Sequence, residues 1–325
     1  MSARRSPGER VAAMLDVAWL RPLLRRLPAW RGVLVLNYHR VGDWTDSPFD
    51  HALWSTTAEG FDAQLALLAR ETDVVDPADV VGLGQAGRGR HVLITFDDGY
   101  RDNYEVALPL LRAHGLTATF FLATGFLDRP HVAWWDEIAW MTRNATRGLP
   151  GGAEAAGKRF THEYKHMPAE RKAPFLDEIA EQTGAGRCGA DAAEGMWMSW
   201  DEARAMRDAG MSIGGHTVTH PVLGSLGEGE QRAEIAGCRE RIAAELDEPM
   251  RWFSYPVGFP GSFDATTQRL LREQEVELAF SFYGGWLRAG ALDPLDVPRV
   301  NVGPALTPAR LHAMMRLPQL YARRS

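Results

Sequence analysis

The sequence predicts an α/β fold built on a mainly parallel sheet. Strand-like runs rich in β-branched and aromatic residues alternate along the chain with segments of helical spacing, a pattern typical of parallel sheets covered by helices. A chain of 325 residues with 45% hydrophobic residues also has the size and core of a single α/β barrel. Such folds gather their active groups at the carboxyl ends of the strands.

The elements follow from local pattern. Strands are predicted at 33–38, 92–96, 117–122, 252–255, 278–282 and 297–302, with a shorter run at 211–213. Helices are predicted at 57–70, 103–114, 200–209, 228–246, 265–274 and 307–315. Ser199 and Glu202 have the spacing of a capping box and predict where the helix at 200 begins.

The chain is expected to form one domain over residues 31–325. Between about 141 and 196 the strand rhythm lapses, which predicts an insertion beside the barrel, with a lid as one role for it. Residues 1–30 are expected to form a helical extension whose apolar stripe is flanked by arginines. We expect this helix to pack on the domain; the alternative is weak peripheral association with a membrane.

Composition excludes several classes of protein. A net charge of −6 argues against nucleic acid as the main partner, because binding phosphates needs a basic surface. Cys188 and Cys238 match neither a disulfide framework nor a cysteine metal site, so free thiols are expected. There is no run of about 18 apolar residues, and Asp16 interrupts the N-terminal segment, so no secretory signal is expected. The expected location is cytoplasmic, with the inner face of the membrane as a variant.

Two polar motifs carry the chemistry. Asp97 and Asp98 end the apolar run at 92–96, and Gly99 supplies the turn that lets both carboxylates share a site. Two carboxylates this close resist joint ionisation unless a cation compensates. His216 and His220 follow the run at 211–213, in a loop or single turn, and two imidazoles with one carboxylate suit a divalent metal, most often zinc. Taken alone, the first motif could be a simple Asp-Asp-Gly turn, and the second could be two surface histidines.

The sequence resembles the polysaccharide deacetylase (NodB-homology) family, particularly its exopolysaccharide branch. Thr95-Phe96-Asp97-Asp98-Gly99 matches the first family motif, and His216-Thr217-Val218-Thr219-His220 matches the second. The resemblance extends from about residue 34 to 302 and implies a distorted (β/α) barrel. It also implies that Asp98, His216 and His220 hold the metal and that Asp97 is the general base. Substrates would be N-acetylated carbohydrates.

The chain departs from the family at two places. Phe253-Ser254-Tyr255-Pro256-Val257-Gly258 resembles the third motif, but Ser254 stands where many relatives carry the arginine that orients the base. We expect Arg299 to replace that arginine; the alternative is a surface ion pair with Asp293 or Asp296. The backbone N–H of Val257 would correspond to the family's oxyanion donor.

The second departure is the missing late histidine that acts as general acid in many relatives. His39 follows the first strand in a Tyr-His segment like that of the exopolysaccharide branch, and its near-neutral pKa suits protonation of a leaving amine. The alternative is a structural histidine. Among nearby aromatic residues, Tyr100 and Trp135 are candidates for the substrate site, although such residues are more often core.

The predicted activity is metal-dependent removal of acetyl groups from N-acetylhexosamine residues of a poly- or oligosaccharide or its lipid-linked precursor. Two alternatives stay open at this point. One is a deacylase or cyclic-amide hydrolase that acts on a small non-sugar amide. The other is a sugar-binding pseudoenzyme, suggested by the missing third-motif arginine.

Overall fold

A curled sheet forms the centre of the computed structural model, which describes residues 30–86 and 88–321. The described strands are β1 (Trp30–Tyr38), β2 (Arg40–Val41), β3 (Trp54–Thr56), β4 (Asp73–Val74), β5 (Arg88–Gly89), β6 (His91–Phe96), β7 (Thr119–Leu122), β8 (Ser212–Gly215), β9 (Trp252–Ser254), β10 (Leu278–Phe280), β11 (Leu287–Arg288) and β12 (Val300–Asn301). The main sheet has the order β10-β9-β8-β7-β6-β1, and all these neighbours are parallel.

The sheet closes through one late segment. The Val297 N–H donates to the Ala279 carbonyl in β10 (2.9 Å). Three residues later, Val300 and Asn301 pair in parallel with β1. The stretch from 297 to 301 therefore joins the two edges of the sheet and places residue 299 inside the resulting barrel. The predicted strand at 297–302 is thus shared between two partners, and only its second half forms β12.

Helices cover the outside of the sheet. They are α1 (Ala58–Glu71), α2 (Pro77–Ala86), α3 (Leu108–Ala113), α4 (Thr124–Asp128), α5 (Trp134–Arg143), α6 (Gly152–His166), α7 (Ala169–Thr183), α8 (Trp200–Asp208), α9 (Glu228–Leu246), α10 (Ala265–Glu273), α11 (Pro308–Arg316) and α12 (Pro318–Tyr321). The predicted capping box is confirmed, since Ser199 and Glu202 exchange hydrogen bonds at the start of α8. Helix α9 has the predicted bounds.

The predicted helix at 103–114 is interrupted. Its first part, Asn103–Ala107, is a π-helical turn, and α3 follows it. Pro109 stands in the first turn of α3 and has no backbone N–H to continue the ladder, so the regular helix restarts there. Turns of the π type are frequent near functional sites, and this one begins five residues after Asp98.

Helices α5, α6 and α7 form a layer with its own apolar cluster. They occupy the region where an insertion was predicted at 141–196, but α5 already begins at Trp134. Tyr100, from the end of β6, belongs to the same cluster, so this layer packs directly behind the residues that follow Asp98. The division of the chain into extension, domain and insertion stays a prediction.

The predicted extension at 1–30 lies outside the described residues except for Trp30, which begins β1. The membrane association assigned to it lies there too. Within residues 30–86 and 88–321, no helix is long and apolar enough to cross a membrane. Cys188 and Cys238 are free thiols, as predicted.

Candidate active site and metal centre

Asp97 and Asp98 are placed by the turn that ends β6. The Asp97 N–H donates to the Tyr38 carbonyl (3.1 Å) and extends the ladder with β1 by one residue. Asp98 and Gly99 then have φ of 76° and 89°, which reverses the chain direction. Positive φ in a residue other than glycine is strained, so the turn is held by its surroundings. The result is that both carboxylates are buried at the carboxyl end of the barrel.

His216 and His220 come from the loop that follows β8. The loop contains two more residues of positive φ, Thr217 (66°) and His220 itself (57°), so the two histidines bracket a tight loop rather than a helical turn. Glu234 on α9 holds this loop: its carboxylate accepts from the Val218 and Thr219 N–H groups, each at 2.8 Å. These hydrogen bonds, and not a helical turn, hold the loop that carries the two imidazoles.

Asp98, His216 and His220 form one compact donor cluster. The Asp98 Oδ1 atom lies 3.4 Å from Nε2 of His216 and 3.4 Å from Nε2 of His220. All three side chains are buried, and a ligand atom of each lies within 4.8 Å of the others. Ligands at about 2.0–2.1 Å from a tetrahedral zinc ion would be about 3.3–3.4 Å apart, so the spacing fits such an ion.

Hydrogen bonding agrees with a cation at this cluster. The Ser254 carbonyl can only accept, so the 2.7 Å contact makes Nδ1 of His216 a donor. The lone pair on Nε2 is then free to bind a metal, and the Ser254 carbonyl fixes the ring in the way that oriented metal ligands usually are. The Asp98 Oδ1 and His220 Nδ1 atoms are buried without a hydrogen-bond partner among the described residues.

The electrostatics favour positive charge at the same point. Burial opposes protonation of His216, but the Asp97 and Asp98 carboxylates raise its pKa above the ordinary value. Burial, and then the neighbouring His216, lowers the pKa of His220 to about 3, which leaves that imidazole neutral. The site thus attracts a cation, either a proton or a metal that would displace it.

Asp97 is not part of the donor cluster but of a separate buried ion pair. Arg299 donates from Nη1 to Oδ1 (2.8 Å) and from Nη2 to Oδ2 (2.9 Å) of Asp97. Asn37 donates to the same Oδ2 (3.1 Å). Burial opposes ionisation of Asp97, yet Arg299 and then His216 outweigh it, so the pKa of Asp97 lies well below its usual range. Asp97 is therefore a carboxylate at any ordinary pH.

Arg299 crosses the inside of the barrel and is fully buried. Beyond Asp97, its guanidinium donates to Asn37 Oδ1 (2.6 Å), Ser254 Oγ (2.8 Å) and the Ser281 carbonyl (3.1 Å). The structure thus pairs Arg299 with Asp97 and not with Asp293 or Asp296. Across the barrel, Arg299 contacts Ser254. The serine side chain is small, so the third motif leaves room for a guanidinium that comes from a later segment of the chain.

His39 lies at the mouth of the same barrel, partly buried. Its backbone is fixed on both sides, since its N–H donates to Ser55 Oγ (3.0 Å) and its carbonyl accepts from Asn103 (2.7 Å). Its ring makes an edge contact with Phe282. Burial lowers the pKa of His39, while the nearby Asp98 and Asp97 charges oppose that shift. The imidazole is thus within electrostatic reach of both aspartates, and its acid role stays a prediction.

Val257 has φ of 65°, a conformation that is rare for a β-branched residue. Its N–H has no hydrogen-bond acceptor among the described residues, whereas the next N–H, of Gly258, donates to the Pro256 carbonyl (2.7 Å). The Val257 side chain packs against the α5–α7 cluster. The strain and the free donor agree with an oxyanion role, which also stays a prediction.

Tyr100 and Trp135 lie behind the donor cluster. The Trp135 ring contacts the His220 ring edge-on, at 4.4 Å between centroids, and its Nε1 donates to the Tyr100 hydroxyl (2.8 Å). Both residues are buried, with an exposed fraction of 0% for Tyr100 and 5% for Trp135. Their contact with substrate stays a prediction.

Several residues that hold the site were not predicted from the sequence. Asn37 contacts Asp97 but offers no signal inside the run of β1. Glu234 holds the histidine loop from a helix 14 residues further along the chain, and only tertiary packing brings it there. Asp136 was missed for the same reason, although it is fully buried beside Tyr100, and a buried carboxylate is a strong indication of function only once burial is known.

The chain is similar in sequence to known polysaccharide deacetylases. A family profile described as polysaccharide deacetylase matches residues 84–279. The curated protein YxkH of Bacillus subtilis (strain 168), which is named as a polysaccharide deacetylase, is 25% identical over 167 residues. That match covers 51% of this chain and 37% of YxkH, so it spans well under half of the relative.

Solved structures share the fold. The Streptococcus pyogenes deacetylase PplD, in complex with acetate, superimposes with a TM-score of 0.60 at 17% identity, over 89% of this chain and 99% of that one. IcaB from Ammonifex degensii superimposes with a TM-score of 0.57 at 22% identity, over 89% of this chain and 98% of that one. At these identities the similarity shows the fold alone, and the predicted distorted (β/α) barrel is confirmed.

Proposed function

The chain belongs to the polysaccharide deacetylase family of carbon–nitrogen hydrolases, and we propose that it removes N-acetyl groups from N-acetylhexosamine units. The substrate would be a poly- or oligosaccharide or its lipid-linked precursor. One observation carries the proposal: a buried Asp-His-His donor cluster stands beside a second carboxylate that is not part of it but is held ionised by an arginine. A hydrolytic metal site needs both parts, a metal ligand set and a separate base.

Asp98, His216 and His220 would hold a divalent metal ion, with zinc the best match to two imidazoles and one carboxylate. When bound, such an ion polarises a carbonyl and lowers the pKa of water. Three protein ligands are the number typical of a catalytic zinc site, which keeps a further position for water or substrate. His216 is oriented for this by the Ser254 carbonyl.

Asp97 would take the proton from the attacking water. Arg299 and Asn37 occupy one lone pair of Oδ1 and both of Oδ2, so one lone pair on Oδ1 is left to accept a proton. The bidentate arginine fixes the plane of the carboxylate, and a fixed base needs no reorganisation as the reaction proceeds. The same pairing makes Asp97 a weak base, so its contribution is orientation rather than high proton affinity.

His39 and Val257 would complete the reaction. The Val257 N–H, free of any described acceptor, would donate to the oxygen that becomes negative when water adds to the acetyl carbon. His39 would give a proton to the sugar nitrogen as the carbon–nitrogen bond breaks. Water supplies the oxygen of acetate, and the other product is a free amino sugar.

Acetate release tests the proposal. Purified protein, loaded with one equivalent of zinc, is incubated with N-acetylglucosamine oligomers and, separately, with small cyclic amides. The proposal expects stoichiometric metal and acetate from the oligomers. Turnover of cyclic amides alone would overturn the substrate class, and sugar binding without metal or turnover would identify a pseudoenzyme.

A further inference from the structure

Three buried side chains behind the donor cluster form one directional chain of hydrogen bonds. Trp135 Nε1 donates to the Tyr100 hydroxyl (2.8 Å), and that hydroxyl donates to Asp136 Oδ2 (2.6 Å). The other carboxylate oxygen of Asp136 accepts from the Asp50 N–H (2.9 Å). None of these side chains is more than 5% exposed.

The direction of this hydrogen-bond chain depends on a group at its end that accepts hydrogen bonds. An indole N–H can only donate, so the Tyr100 oxygen must accept from Trp135 and direct its own proton elsewhere. A backbone N–H points at one oxygen of Asp136 and the Tyr100 hydroxyl at the other, so the acid must accept on both sides. An amide in its place would turn an NH₂ group toward one of the two donors and leave that donor unsatisfied.

The other end of this hydrogen-bond chain contacts His220, the proposed metal ligand whose ring has no orienting hydrogen bond among the described residues. His216 has its Nδ1 held by the Ser254 carbonyl, but Nδ1 of His220 has no hydrogen-bond partner among the described residues. The His220 ring instead packs on the Trp135 ring, at 4.4 Å and an interplanar angle of 64°. The His216 ring, a member of the same donor cluster, lies 4.7 Å from the His220 ring, so Trp135 is the ring outside the cluster that orients His220.

We propose that Asp136 is a positioning residue for His220, acting through Tyr100 and Trp135. The inference rests on the proposed function, because it assumes that His220 binds a metal. A further contact supports it: the Arg40 guanidinium lies 4.4 Å from the centre of the Tyr100 ring and is itself paired with Asp102 (2.8 Å). Tyr100 is thus fixed from its face as well as from its hydroxyl, and it cannot shift without disturbing the indole.

Metal binding by full-length variants tests this without reference to any substrate. The apparent Kd for zinc is measured by competition with a chromophoric chelator for the wild type, Asp136→Asn and Tyr100→Phe. Loss of a partner that orients a ligand typically weakens metal binding 10- to 100-fold, so an increase of about tenfold in Kd is expected for both variants. Visible spectra of the cobalt-loaded proteins should also shift, because the His220 ring changes its orientation at the ion.

Tyr38→Phe is the matched control. It removes an equally buried tyrosine hydroxyl, which donates to Gln64 (2.8 Å). Tyr38 belongs to the main core and not to the apolar cluster that contains Tyr100 and Trp135. Tyr38→Phe should lower thermal stability while leaving the zinc Kd and the cobalt spectrum unchanged. If Tyr100→Phe and Tyr38→Phe alter metal binding equally, the effect is one of general stability and the inference is wrong.

A double variant guards against poor folding of Asp136→Asn. Trp135→Phe keeps a ring against His220 but removes the N–H, so Tyr100→Phe combined with Trp135→Phe should weaken zinc binding no more than either change alone. Additive losses would contradict a single chain. Wild-type protein that binds no metal would overturn the proposed function itself, whereas tight wild-type binding with unaltered variants would overturn only this inference.

Discussion

Replacing Arg299 with methionine should destabilise the fold at neutral pH by about 3–5 kcal/mol, the usual cost of breaking a buried ion pair. Methionine keeps much of the apolar volume but removes all the donors that reach Asp97, Asn37 and Ser254. Asp97 would then be a buried carboxylate, 3% exposed, with Asn37 as its remaining side-chain partner. Its pKa should rise because its main stabilising charge is gone.

The loss of stability in Arg299→Met should be larger at neutral than at acid pH. In the wild type, the folded-state pKa of Asp97 is depressed, so its stabilisation is complete above the unfolded pKa of about 3.9 and is lost only at lower pH. In Arg299→Met the folded pKa is raised, so the folded state takes up a proton first as pH falls. The destabilisation should therefore shrink by up to about 1.4 kcal/mol per pH unit below that raised pKa.

Urea unfolding at pH 7.5 and pH 5.5 measures this difference, and kcat/KM for acetate release should fall about 100-fold or more at pH 7.5. Ser254→Ala is the matched control, because it removes one 2.8 Å contact of Arg299 and leaves the ion pair with Asp97 in place. Its cost should stay near 1 kcal/mol. A destabilisation by Arg299→Met that is the same at both pH values, or kcat/KM within threefold of wild type, would show that Arg299 does not hold Asp97 ionised and in place.

Further predictions concern the acid, the histidine loop, the oxyanion donor and the metal. His39→Gln should lower kcat by about 100-fold or more. In the wild type, kcat/KM should rise toward acid pH because the pKa of His39 is lowered, and the variant should lose this rise. An unchanged kcat and pH profile would remove His39 from the mechanism. Glu234→Ala should raise the zinc Kd about tenfold or more, since two loop N–H groups lose their acceptor; an unaltered Kd would show that the loop needs no such support. Val257→Ala should keep kcat within about threefold, because a backbone N–H survives the change, and a large loss would assign the role to the side chain. Chelation should abolish acetate release and zinc should restore it, whereas activity that survives complete chelation would exclude the proposed metal.

The sequence predicts the central strands because buried parallel strands are continuous apolar runs. Those at 33–38 and 92–96 correspond to β1 and β6 within a few residues. Strands β2, β4, β5 and β11 have two residues each, too few to show any periodicity. Helix α7 contains Pro174 in its interior, and a proline there argues against a helix on local grounds, so tertiary packing decides that segment.

The structure brings together the four residues of the two motifs because β6 and β8 both end at the same edge of the sheet. Arg299 was predictable as a candidate, but its partner depends on the closure of the barrel between β10 and β1, which no local pattern reveals. The role of Asp136 could not be predicted from the sequence. Its significance comes from complete burial beside Tyr100, a property of the packed layer α5–α7 and not of its neighbours in sequence.

Acetate release by zinc-loaded Asp97→Asn distinguishes the roles of the two adjacent aspartates, base and metal ligand. The asparagine keeps the shape of the side chain and leaves Asp98, His216 and His220 in place. We expect one bound zinc per chain, as in the wild type, with acetate release from N-acetylglucosamine oligomers reduced at least about 100-fold. Near wild-type acetate release by this zinc-loaded variant would contradict Asp97 as the base.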